Sequence, residues 1–267
     1  MSGALSAMYR MPVSFGPSPG PRNVPEGQSG RRYEKDVTSL TMSAATDAEA
    51  LARLLPNGFA LRGAPRITVS VMLLRNIGWL AGRGYNIVMV MIPARWEGKE
   101  QLDGSFVPVL WESMADPILT GREELGWCKI FANIPEPLQS NGNWTGSADW
   151  EGFDFFEFAT GGFEAAPEDA VAPMPMMFQK YIPRTGEWGS SDVSYPTVTG
   201  DDGVPATLIS REEGHGRFAF RHARWEDMPT QYPIVSALAA LPLDDFGTAV
   251  RSRASGGGDG RSQRILR

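Results

Sequence analysis

Apolar positions along this chain recur mostly at the two-residue spacing of a strand. Between Arg66 and Leu74, Ile67, Val69 and Val71 alternate with Thr68 and Ser70, which predicts a strand with one buried face. Ile87 to Ile92 is an unbroken apolar run ended by Pro93, which predicts a strand covered on both faces. Further strands are expected at Phe106 to Trp111, Lys129 to Ile134, Met176 to Ile182, Ala206 to Ser210 and Arg217 to Arg221. Helical spacing is rarer. It is clearest at Leu51, Leu54 and Leu55, which follow a capping box at Thr46-Asp47-Ala48-Glu49 and stop at Pro56. A second short helix is expected after Asp116-Pro117; Thr120-Gly121-Arg122-Glu123 offers another capping box and Gly126 a stop. Many short strands with Gly/Pro turns and few helices predict an α+β chain, mainly β, built as a barrel or sandwich with helical additions.

Composition divides the chain without adding elements. Residues 1–30 are rich in Pro and Gly from position 11 and read as an extended N-terminal arm. Residues 31–250 read as a single domain, and residues 251–267 as a flexible Gly/Arg-rich tail. A length of 267 residues, 42% of them apolar, can bury a substantial core. The net charge of -6 argues against nucleic acid or an anionic membrane as partner, since both attract a basic surface. A small metabolite fits better. Cys128 is the one cysteine, so no intrachain disulfide is expected. Met1 to Gly20 has no apolar segment of the kind a secretory leader needs, and no run approaches a membrane span, so a cytoplasmic location is expected. His215 and His222 have no partners at zinc spacing, and no metal site is expected.

The candidate chemistry lies in the choice of cation. Of 25 basic residues, 21 are arginine and four are lysine, yet Lys129 stands in the apolar run that follows Gly126. An amine freed by an apolar pocket can attack a carbonyl, whereas a guanidinium stays charged. The plainer reading of Lys129 is a cation–π contact, or an aliphatic stem whose head reaches water. Strand alternation puts Trp127, Lys129 and Phe131 on one face, and Cys128, Ile130 and Ala132 on the other. Lys180, between Phe178 and Ile182, has a similar setting, while Lys35 and Lys99 read as solvated surface residues.

Gly121-Arg122-Glu123, with Trp127 and Lys129 six and eight positions after the glycine, resembles the nucleophile segment of the acetoacetate decarboxylase superfamily: Gly-Arg-Glu, apolar residues, an aromatic, Pro, Lys. The likeness extends to Leu54-Leu55-Pro56, Ile92-Pro93, Asp116-Pro117 and Lys180-Tyr181-Ile182-Pro183, the last similar to a structural Lys-x-Ile-Pro strand. The resemblance implies a closed β-barrel or cone with a few short helices, a homo-oligomer, and a Schiff base between Lys129 and a keto acid. Acetoacetate decarboxylase is a known instance of a lysine activated by desolvation or a cationic neighbour. It also implies a substrate-binding arginine near the start, placed at Arg31 or Arg32.

This chain departs from the family pattern in three places. Cys128-Lys129-Ile130 stands where decarboxylases carry Pro-Lys-Lys, and the two acidic pocket positions fall at Ile87 and near Thr68. Glu112, Glu124, Tyr85 and Tyr232 are the candidates for acid/base work, with Trp127 and Phe131 as pocket walls. The first reading is a carbon–carbon lyase, an aldolase that joins pyruvate or a related 2-oxo acid to an aldehyde with dehydration, or runs the reverse cleavage. Its alternatives are a decarboxylase of acetoacetate or another 3-oxo acid, and a non-catalytic ligand-binding homologue. No cofactor is expected beyond the lysine itself.

Overall fold

The computed structural model describes residues 8–167, 174–201 and 203–267; the first seven residues of the expected arm lie outside them. In chain order the strands are β1 (Asp36–Ala45), β2 (Phe59–Leu61), β3 (Arg66–Ile77), β4 (Arg83–Glu97), β5 (Gln101–Glu112), β6 (Lys129–Phe131), β7 (Leu138–Ser140) and β8 (Asn143–Trp150). They continue with β9 (Phe153–Ala165), β10 (Met176–Pro183), β11 (Ser191–Val198), β12 (Ala206–Phe220), β13 (Asp244–Phe246), β14 (Ala249–Gly256) and β15 (Arg264–Ile265). The helices are α1 (Ala48–Ala52), α2 (Ala115–Thr120) and α3 (Tyr232–Ala239). All 15 strands join one sheet, with the path β15-β11-β10-β5-β4-β3-β1-β14-β12-β9-β8-β7. Among the described residues no pairing joins β15 to β7, so the barrel expected to be closed is not closed by hydrogen bonds. None of the helices is long and apolar enough to cross a membrane.

Two faces of the central strands do different work. On β3 and β4, Ile67, Val69, Val71, Val88, Val90 and Ile92 are fully buried in the main core. The opposite face of β4 carries Ile87 and Met89 into a second cluster with Leu74, Leu110 and Phe178. The uninterrupted apolar run of β4 is therefore a strand with a core on each side. Each fully buried aliphatic side chain contributes roughly 1.5–3 kcal/mol, so a one-residue slip of β3, exchanging Ile67, Val69 and Val71 for Thr68 and Ser70, is strongly opposed.

Parallel pairing needs a crossover. Between β5 and β6 the crossover is α2, which passes without a break into a single π-helical turn at Gly121–Leu125 and stops at Gly126, whose φ of 80° suits glycine. Helix α2 begins at Ala115, with Met114 at its N-cap, so Asp116 lies in its first turn. Thr120 has helical dihedrals and is not a second cap, so Glu123 and Glu124 sit inside a continuous helix rather than at its start. The cap of α1 is also displaced: Asp47 accepts from the Ala50 amide at 2.7 Å, because the Thr46 amide is still bound to the Pro65 carbonyl.

Both termini differ from expectation. Residues 251–267 do not form a loose tail: β14 lies between β1 and β12, β15 pairs with β11, and Leu266 is buried. The arm turns back on itself, with Asn23 Nδ2 donating to the Met8 carbonyl at 2.8 Å, and it packs against α2. The two segments expected near Ala206 and Arg217 are one strand, β12, with register shifts at Leu208/Ser210 and Glu213/His215. Gly216 keeps it continuous, since a Cβ there would sit 2.9 Å from Met42 Cγ and from Ala249 Cβ.

Candidate functional site

Strand β6 lies parallel to the end of β5, with Lys129 opposite Leu110 and Phe131 opposite Glu112. Leu110 and Glu112 share a face two residues apart, so a lysine beside the first can reach the carboxylate of the second. Lys129 Nζ is 2.8 Å from Glu112 Oε1 and donates to the Pro117 carbonyl at 3.1 Å. It also lies 4.9 Å from the centre of the Trp127 ring, which stacks on Phe178. Lys129 is 5% exposed and Glu112 is 0% exposed. Burial, only partly opposed by Lys129, pushes the Glu112 carboxyl above its ordinary range. Neither carboxylate oxygen has a hydrogen-bond partner among the described residues, so the ammonium meets Oε1 as an ion pair and Oε2 is left open.

The lysine stem crosses the π turn where Gly121 has no side chain. A Cβ at Gly121 would lie 2.3 Å from Lys129 Cδ, 2.5 Å from Cε and 3.0 Å from Nζ. Those atoms are the mobile end of a side chain, so Gly121→Ala should displace the amine more than it unfolds the protein. A displacement of about 1 Å costs about 10²-fold in rate. The expected result is a loss of that order in kcat/KM with only a small fall in Tm. Wild-type kinetics in this variant would show that the close approach does not matter.

Lys129 and Glu112 stand in the wall of a cavity of about 550 Å³, within the range of about 300–1,000 Å³ typical of small-molecule sites. Most of the wall is apolar, with Met72, Leu74, Trp79, Met89 and Trp127. Arg22, Arg32 and Lys35 approach it beside the loop Gly256 to Gly260. Lys35 is therefore not the solvated surface residue expected, and its ammonium donates to the Gly258 carbonyl at 2.8 Å.

Of the residues singled out from the sequence, Lys129, Glu112, Trp127, Arg32 and Tyr85 line the cavity. Arg32 is engaged by Asp259 at 3.6 Å. The Tyr85 hydroxyl is pushed well up, first by burial and then by the Glu112 charge, so it remains a neutral donor. Arg31, Glu124, Phe131 and Tyr232 do not line it. Arg31 pairs with Glu34 at the surface, and Tyr232 opens α3 at 37% exposure. Phe131 is 48% exposed, because Trp127 enters the cavity from the turn before β6 and the two-residue period does not run across both. Trp111 is core, its indole donating to Gln231 Oε1 at 2.8 Å. Lys180 donates to the Glu123 carbonyl at 2.7 Å. Cys128 packs in the cluster of Leu110 and Phe178 rather than with Ile130 and Ala132, and burial pushes its thiol up to about 12. Ile87 lines the cavity and Thr68 does not; directly across from Ile87 in the β4–β5 register is Glu112, which supplies a carboxylate from the adjacent strand.

Arg22 was not singled out from the sequence. Its side chain is 6% exposed, its Nε donates to Glu124 Oε2 at 2.6 Å, and Nη1 donates to the Asp259 carbonyl. Nη2 is buried without a hydrogen-bond partner among the described residues. A buried donor left unpaired costs about 1–3 kcal/mol, which an anionic ligand would recover. The one local signal was that Arg22 is the only charged residue between Arg10 and Glu26. Among the described residues no three His, Cys, Asp or Glu side chains gather as a metal site would require.

A family model described as acetoacetate decarboxylase (ADC) matches residues 10–246. No curated protein sequence matches the chain. Among solved structures, one of acetoacetate decarboxylase is similar at 15% identity and a TM-score of 0.69, over 88% of this chain and 89% of that one. An acetoacetate decarboxylase-like enzyme from Sphingomonas wittichii RW1 is similar at 17% identity and a TM-score of 0.65, over 88% and 92%. The enduracididine biosynthesis enzyme MppR, complexed with the condensation product of pyruvate and imidazole 4-carboxaldehyde, is similar at 15% identity and a TM-score of 0.64, over 87% and 88%.

Proposed function

Because the chain belongs to the acetoacetate decarboxylase family, we propose that Lys129 forms a Schiff base with pyruvate or a related 2-oxo acid, and that the protein is an aldolase. The observation that carries this reading is the buried contact of 2.8 Å between Lys129 Nζ and Glu112 Oε1 in the cavity wall. To attack, the ammonium must first lose a proton, and Glu112 is placed to accept it. The amine then adds to the keto carbon to give a carbinolamine. Its hydroxyl leaves as water with the proton from Glu112, and an iminium remains.

The iminium is an electron sink for the neighbouring carbon. Glu112, ionised again, removes a proton from that carbon, and the enamine so formed attacks the carbonyl carbon of an aldehyde. The new alkoxide takes up the proton that Glu112 removed, which returns the carboxylate to its ionised form. Loss of water from the aldol and hydrolysis of the imine release an unsaturated keto acid, and the same steps reversed would cleave one. Arg22 Nη2 would receive the substrate carboxylate.

A base beside the iminium is needed for aldol chemistry and not for loss of carbon dioxide, so the placement of Glu112 favours the aldolase over a decarboxylase of a 3-oxo acid. Ile130 after the lysine, in place of a second ammonium, points the same way. The complex of MppR with a pyruvate–aldehyde condensation product is consistent with this substrate class.

Borohydride trapping followed by peptide mass spectrometry tests the reading. The expected result is an adduct on Lys129 with pyruvate and little with acetoacetate. An acetoacetate adduct with release of carbon dioxide would establish the decarboxylase instead. No adduct with any keto acid would leave a ligand-binding protein.

A further inference from the structure

We infer that Glu124 is a positioning residue, which fixes the guanidinium of Arg22 so that its one free prong faces the substrate carboxylate and makes acid recognition depend on the docked N-terminal arm. This rests on the proposed imine chemistry at Lys129. Glu124 lies outside the cavity wall, yet its side chain is 8% exposed and holds two arginines: Oε2 takes Arg22 Nε at 2.6 Å, and Oε1 faces Arg10 Nε at 3.1 Å. Arg10 also donates to Thr120 Oγ1 at 2.7 Å, and Thr120 lines the cavity.

A guanidinium is a planar fork, so binding two of its nitrogens fixes the direction of the third. Glu124 and the Asp259 carbonyl occupy Nε and Nη1 of Arg22, leaving Nη2 as the group held ready. The carboxylate of Glu124 comes from the same π turn whose Gly121 accommodates the lysine stem. One turn of helix thus sets both ends of the substrate, the amine that meets the keto carbon and the donor that meets the acid group. Arg10 ties that turn to the arm that carries Arg22.

The test measures borohydride trapping of Lys129 in the full chain as a function of pyruvate and of its neutral methyl ester. In Glu124→Gln the half-saturating concentration of pyruvate is expected to rise about tenfold, with a much smaller change for methyl pyruvate and little change in maximal rate. Arg10→Gln should shift the same ratio in the same direction by less, and it carries the test if the first variant does not fold. Equal losses for acid and ester would mean that Glu124 merely supports the fold and would overturn the inference. Tighter pyruvate binding would overturn it too, showing that Glu124 only neutralises Arg22. Wild-type protein that forms no adduct with either compound would fail the Lys129 reading itself, whatever Glu124 does.

Discussion

Replacing Lys129 with arginine is expected to reduce turnover by at least about 10⁴-fold, the scale seen when a covalent nucleophile is removed. A guanidinium keeps the charge beside Glu112 but cannot form an imine. Loss of trapping with retained circular dichroism would be the matching observation, and near-wild-type turnover would sink the mechanism. Lys129→Met carries a second, pH-dependent effect. Glu112 is then buried without its ionic partner, and breaking such a pair costs about 3–5 kcal/mol. Burial holds the Glu112 carboxyl above its ordinary value even with Lys129 beside it, so without that partner its charged form becomes costlier still. A group raised in the folded state contributes stability below its unfolded value and loses it as pH rises through the folded value. The deficit of Lys129→Met relative to wild type should therefore be largest at neutral pH and narrow as pH falls through the raised value. Denaturant titrations across that interval check it; a constant gap would deny a buried ion pair.

Glu112→Gln should lower kcat by about 10²–10⁴-fold, the usual contribution of a positioned acid or base. The amide keeps the shape of the side chain and cannot carry a proton. In wild type the rate should fall as pH drops through the raised Glu112 value, so the acid limb lies above the ordinary carboxylate figure of 4.5. That limb should disappear in the variant. If it persists unchanged, another group is the base.

Much of this architecture could be read from residue order because its causes are local. The run Ile87 to Ile92 is apolar at every position, and two-sided burial demands that. Gly121 and Lys129, in the segment proposed to carry the nucleophile, are eight residues apart, joined by one turn of helix and a stop at Gly126. What escaped was set by distant partners. Arg22 reaches the cavity because the arm folds back to Glu124, 102 residues away. Ala249 to Gly256 is a strand because β1 and β12 flank it on both sides, and its own pattern of Arg, Ser and Gly gives no hint of that. Gly214 and Gly216 hid the middle of β12, since glycine weakens a strand pattern even where close packing requires it.

The pairing of Ile87 with Glu112 across β4 and β5 bears on how members of this family are sorted. A census of relatives that scores each column for its acidic residue would reject this chain as lacking the acid. The carboxylate has not been lost from the chamber; it is attached to the next strand, about 5 Å away across the ladder. Relatives should be compared by which rungs face the lysine, with either member of a rung allowed to carry the charge.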